Sequence, residues 1–350
     1  MFRLLGSVRF MAVLRCMLCA SQHLRAACFC PVSMSDVEEN KIKYHTFKVG
    51  LAYALAALYA AWASYRIHVL PIEDFALPIL DAILQLEGRA PDQYRILPYL
   101  LLRAMSGGLH ALLGDDLSLS VPIVLFDASA LFCSVLLLRR MFSLKDGSAL
   151  VWILFLIYPY LMFDGYRPVS AFILCMSLLM LQAILLARSG SVRDMALLLV
   201  ALFFGSASRA DVGMLYAVVA VLLIRPSIPL ALCMLAIPAG MQFVLSRIVF
   251  ADAEYFSEVF MLMRNLSEGW VIRAPLTGFL LAVLLIYAGP IRLWSRWAWN
   301  HYRGVFVTLL AYALTLCVIA MPNEYRLFLP LLPVVMFLIN EYRLTETGNA

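Results

Sequence analysis

Two neighbouring carboxylates and a tyrosine–arginine pair stand on one polar stretch between the first long apolar run and the next. The stretch reads Ile72-Glu73-Asp74-Phe75, then Gly88-Arg89-Ala90-Pro91-Asp92-Gln93-Tyr94-Arg95-Ile96-Leu97-Pro98. Ionisable groups beside a bilayer cost free energy to keep, so such a cluster is read first as a functional site. A carboxylate can take the proton of an attacking hydroxyl or amine. A guanidinium holds phosphate through paired, charge-assisted hydrogen bonds. Residues of the same kinds recur at Asp164-Gly165-Tyr166-Arg167-Pro168, Ser208-Arg209-Ala210-Asp211 and Pro322-Asn323-Glu324-Tyr325-Arg326. Glu73 and Asp74 are therefore the candidate bases. Arg95, Arg167, Arg209, Arg326 and Tyr94 are the candidate substrate or phosphate contacts.

The elements that must position them are membrane helices. Hydrophobic residues make up 64% of the chain and charged residues 14%, against roughly 25% charged in soluble domains. Mean hydropathy is +0.89. The apolar runs are long and continuous, as helices require, and lack the alternation of a β-barrel. The fold class expected is all-α, a polytopic membrane protein of about ten transmembrane helices. The net charge of +5 comes from short basic clusters between apolar runs, which is an orientation signal and excludes a nucleic-acid reading. Residues 1–46 form a cytoplasmic N-terminal segment, 47–341 one integral-membrane domain, and 342–350 a cytoplasmic tail.

Basic residues set the expected sidedness. Lys41, Lys43 and Lys48 put the N-terminus in the cytoplasm and residues 67–118 outside. Within that outer stretch, 96–113 is apolar but interrupted by Arg103, Gly107, Gly108 and His110. Reading it as a helix lying at the surface keeps Arg139, Arg140 and Lys145 inside. Further runs are expected at 119–138, 149–163, 168–187, 228–248, 274–292, 304–321 and 326–341. The basic clusters all fall on one side only when 194–224 is two short helices broken near Gly205 and Arg209. Both termini are then cytoplasmic, and the acids and arginines gather on the outer face together with loop 249–273.

The first 33 residues carry Arg3, Arg9, Arg15 and Arg25 and no acid, before Met34-Ser35-Asp36-Val37-Glu38-Glu39 begins an acidic start. A targeting segment, an interfacial helix and an untranslated upstream start compete, and the last is favoured. Cys16, Cys19, Cys28 and Cys30 lie in this leader without completing a zinc pattern. Cys133, Cys175, Cys233 and Cys317 read as small hydrophobes in helices. No nucleotide-binding loop, Ser-His-Asp order or metal cluster is apparent, so no cofactor is expected, with a divalent metal left open.

Several stretches in order carry a family resemblance: Glu73-Asp74, Arg95-Ile96-Leu97-Pro98-Tyr99-Leu100, Leu138-Arg139-Arg140, Gly205 to Arg209, and Tyr325-Arg326-Leu327-Phe328-Leu329-Pro330-Leu331-Leu332-Pro333. The chain thereby resembles integral-membrane glycosyltransferases of the GT-C superfold, such as lipid A aminoarabinose transferases and protein O-mannosyltransferases. The resemblance implies a polyprenyl-phosphate-linked sugar donor, and an envelope glycan, lipid or protein acceptor on the periplasmic face of a bacterial inner membrane. It implies a carboxylate base at Asp74 or Glu73, and phosphate contacts at Arg95, Arg209 and Arg326. The order here is Glu-Asp where the family has Asp-Glu, and which of the two is the base stays open.

Each functional reading has a plainer rival. Glu73 and Asp74 also fit solvated loop acids, and Arg95 and Arg326 fit side chains reaching for lipid headgroups. Arg209 with Asp211 also fits a structural ion pair. The tryptophans and tyrosines at 294–302 read as interfacial anchors. A carrier or flippase of lipid-linked sugar or a small solute is the alternative from another class, because broken helices with charge at the break serve transport as well. A polysaccharide polymerase is the third.

Overall fold

The computed structural model describes residues 36–85, 87–88, 94–113, 119–142, 169–251, 288–319 and 325–348. Among these residues no strand occurs, and their regular structure is all helical. In chain order the helices are α1 (Asp36–Ser64), α2 (Glu73–Leu84), α3 (Ile96–Leu113), α4 (Ser120–Met141) and α5 (Ser170–Ala187). They continue as α6 (Val192–Ser208), α7 (Ala210–Ile224), α8 (Ile228–Val244), α9 (Ala288–Ile319) and α10 (Leu332–Gly348). A π-turn, Tyr65–Val69, and a 3-10 turn, Leu70–Ile72, join α1 to α2. A second π-turn, Leu245–Val249, ends α8, and a 3-10 segment, Tyr325–Leu331, leads into α10.

Among the described residues, four stretches are long and apolar enough to cross a membrane: Ser120–Met141, Ser170–Ala187, Ile228–Val249 and Leu327–Glu346. The expected figure of about ten is larger. Part of the difference lies at the break near Arg209, where α6 and α7 have 17 and 15 residues, short of the roughly 20 that span a hydrocarbon core. The expected runs 149–163 and most of 274–292 lie outside the described residues.

Helices in lipid gain little from burying apolar surface, because lipid tails are as apolar as leucine; they associate through close packing. Small residues permit that here. Ala57, Ala60 and Ala61 of α1 are buried with Ala128, Ala130 and Leu131 of α4 and Ala171 of α5. On the other face of α1, Leu55, Leu58, Tyr59 and Trp62 are exposed. Three buried serines satisfy themselves within their own helices, as hydroxyls away from water must find a partner. Ser134 Oγ donates to Ala130 O, Ser177 Oγ to Ile173 O and Ser206 Oγ to Leu202 O.

The bundle has two chemically distinct ends. Arg139 lies over the Tyr53 ring, with its guanidinium carbon 5.8 Å from the centroid, and fixes one end of the α1–α4 pair. Arg188 closes α5, Arg225 closes α7 in a left-handed conformation, and Tyr302 of α9 donates to Glu341 of α10 at 2.9 Å. Tyr65, Glu73 and Ser120 meet at the opposite end. The break between α6 and α7, the end of α8 and the start of the α10 segment share that second end.

Candidate functional site

The site is built around an interruption in the backbone. Helix α6 stops at Ser208, whose hydroxyl turns back to Phe204 O. Arg209 is extended (φ −166°, ψ 109°), with its N–H bonded to Gly205 O and its carbonyl accepting from Gly213 N–H as the first bond of α7. One residue thus ends a helix and opens the next. Asp211 sits in the first turn of α7, where the helix dipole favours a negative charge.

Two glycines let this hairpin close. A Cβ added at Gly213 would stand 2.1 Å from Ser206 Oγ and 2.9 Å from Ser206 Cα. One added at Gly205 would stand 2.3 Å from Met180 Sδ of α5. At Gly213 the neighbour is backbone, so only a missing side chain allows the approach, whereas at Gly205 it is the flexible end of Met180. The consequence is that Arg209 is drawn into the bundle, its side chain 8% exposed against 44% for Asp211.

Arg209 and Asp211 form a bidentate pair: Nε donates to Oδ1 at 2.9 Å and Nη2 to Oδ2 at 2.7 Å. Tyr312 of α9 completes a triangle. Its hydroxyl accepts from Arg209 Nη2 at 3.2 Å and donates to Asp211 Oδ2 at 2.7 Å. The buried Arg95, one residue ahead of α3, is near enough for its charge to act on Asp211. Its neighbour Tyr94 packs on Leu245, flanked by Ile96, Met241 and Phe250, which pins the start of α3 to the end of α8. Further along α3, Arg103 Nη1 donates to Leu84 O at the end of α2. Tyr216, buried one turn below Asp211, donates to Pro330 O at 2.9 Å and holds the 325–331 segment against α7.

Of the residues expected from sequence, Arg95, Arg209 and Tyr94 are thus brought to one end of the bundle. The backbone of Arg326 belongs to the segment that Tyr216 anchors there; its side chain lies outside the described residues, as does Arg167. Glu73 and Asp74 occupy the first turn of α2 at the same end, beside α1 and α4. Glu73 is half-buried and accepts from Tyr65 OH at 2.9 Å; Asp74 is exposed. Sequence reading missed Tyr312. Its only local sign is one phenol among alanines and leucines.

No family model, curated protein or solved structure matches the chain. Among the described residues, no group of three or more His, Cys, Asp or Glu side chains is arranged to hold a metal ion. The arrangement itself offers two guanidiniums, one carboxylate and one phenol at a helix break, with the Glu73–Asp74 pair on α2 at the same end of the bundle. Such a set can hold a phosphate and present a base.

Proposed function

We propose that this chain is a membrane glycosyltransferase of GT-C type, taking sugar from a polyprenyl phosphate. The convergence of Arg95 and Arg209 on one carboxylate at one end of an apolar bundle carries this reading. Transfer forms a bond from an acceptor oxygen or nitrogen to the anomeric carbon and breaks the bond from that carbon to phosphate. The acceptor's proton passes to Glu73 or Asp74. The electron pair leaves with the phosphate, whose growing charge is met by the guanidiniums. Tyr94 packs beside Arg95, and Arg326 and Arg167 stand as further phosphate contacts. The acceptor is an envelope glycan, lipid or protein, and the working face is periplasmic, with both termini cytoplasmic.

Membranes carrying the chain, supplied with a polyprenyl-phosphate sugar, provide the test. Glu73→Gln or Asp74→Asn abolishes transfer, and Arg209→Ala raises the donor concentration needed. Wild-type rates in both carboxylate variants would remove the proposed base. A carrier is the second reading, favoured by the extended Arg209 between two short helices. Sugar-lipid crossing vesicle membranes without any product formed would support that reading instead.

A further inference from the structure

The opposite end of the bundle carries a feature that sugar transfer does not use. Helix α9 bends at Tyr302, where φ is −132°. Before the bend, Trp297 faces the bundle, its ring centroid 5.5 Å from Tyr342 and 5.4 Å from Tyr302. Residues two positions to either side of Trp297 turn the other way, since each residue rotates by about 100°. That outward face carries Ser295 and Trp299, and these two with Arg296, Asn300 and Phe306 line an open groove of about 520 Å³. Arg303 lies across Trp299, its guanidinium carbon 4.7 Å from the ring centroid.

Charge and shape point to one kind of occupant. The sequence 288–319 holds Arg292, Arg296 and Arg303 and no acid. Stacking on Trp299 fixes the plane of Arg303 and leaves its N–H edges for an anion. A soluble anion would need only these groups. Here apolar surface continues beyond the groove along the same helix: Val307, Leu310 and Leu314 are 44%, 49% and 66% exposed. Thr308, the polar residue among them, donates inward to Gly304 O. A cationic and aromatic head joined to an apolar strip of helix matches a phospholipid, not a free phosphate.

We propose that this face of α9 binds one anionic phospholipid, its phosphate at Arg296 and Arg303 and an acyl chain along Val307, Leu310 and Leu314. The site is separate from the Arg209 site and does not depend on the sugar-transfer reading. Native mass spectrometry of the full chain tests it, with phosphatidylglycerol and phosphatidylcholine of the same acyl chains added in equal amounts. Phosphatidylglycerol is expected to be retained in preference, and Arg296→Gln to weaken its retention about fivefold, as removal of one basic contact does. Arg140→Gln, an exposed arginine at the same end of the bundle, should leave retention unchanged. Because Trp299→Ala could loosen the fold, the decisive variant is Arg296→Gln, whose side chain is exposed. Equal retention of the two lipids, an Arg296→Gln result like wild type, or equally tight binding of soluble glycerol phosphate would overturn the proposal.

Discussion

Tyr312 donates its hydroxyl proton to Asp211 Oδ2 at 2.7 Å, across 101 residues of sequence. The Tyr312 hydroxyl oxygen also accepts from Arg209 Nη2, so one phenol bridges both members of the ion pair and ties α9 to the mouth of the α6–α7 break. An arginine held from two directions keeps a fixed plane, which is what recognition of a tetrahedral phosphate asks of it. Tyr312→Phe keeps the ring and removes the bridge. The proposed sugar transfer should fall about tenfold, the rate equivalent of one neutral-to-charged hydrogen bond, with melting in detergent nearly unchanged. Initial rates in membranes check this, and a rate like wild type would mean that the bridge has no part in the reaction.

A separate question is whether the Arg209–Asp211 pair only holds the helices together. Asp211→Leu leaves a nearly buried guanidinium without its carboxylate. That should cost about 2 kcal/mol, less than for a fully buried pair because Asp211 keeps contact with water. Arg209→Leu together with Asp211→Leu removes the stranded charge and should recover most of that stability. Denaturation in mild detergent measures both. If phosphate is held by Arg209, the stable double variant stays inactive; full activity in it would reduce the pair to scaffolding.

The interruption at Arg209 was legible because Gly205-Ser206-Ala207-Ser208-Arg209-Ala210-Asp211 is a polar, small-residue stretch inside apolar sequence, and charge sidedness demanded a turn there. The bond from Tyr312 was not. A tyrosine in a helix of alanine and leucine has the same local composition whether it anchors in headgroups or reaches across a bundle, and only packing decides. The approach of Arg95 to Asp211 is of the same kind, set by Tyr94 docking on Leu245. The bend at Tyr302 had no proline to announce it, and Ala288–Ile319 reads from sequence as the end of the run 274–292, a basic loop at 292–303 and a second run at 304–321. Span number is hard to read for a physical reason as well: hydropathy marks length, and the two helices at the break, of 17 and 15 residues, have none to spare.

Close approach at the hairpin makes its own prediction. Gly213→Ala puts a Cβ against the backbone of Ser206, where backbone cannot yield, and should destabilise by about 1–3 kcal/mol. Moving α7 away from α6 also displaces Arg209, so transfer should drop with stability. Gly240 of α8 has open space around its Cα, and Gly240→Ala should be neutral or stabilising by up to about 1 kcal/mol. Melting temperatures of the two variants, compared side by side, decide the matter. Similar losses in both would show that α6 and α7 are not packed as closely as described.

The proposed chemistry also needs its acids and its basic helix ends on opposite faces of the membrane. Asp74 is exposed at the Arg209 end, and Arg140 is exposed at the end where Arg139 covers Tyr53. Single-cysteine variants Asp74→Cys and Arg140→Cys, made in a background without the native cysteines, report the two ends separately. A thiol reagent unable to cross membranes should label position 74 in cells whose inner membrane is intact. Position 140 should react only after that membrane is opened, because basic helix ends are retained in the cytoplasm. Labelling of both positions from the same side would place the carboxylates and the arginine-rich ends on one face. A lipid-linked donor on the far face would then have no base to meet it.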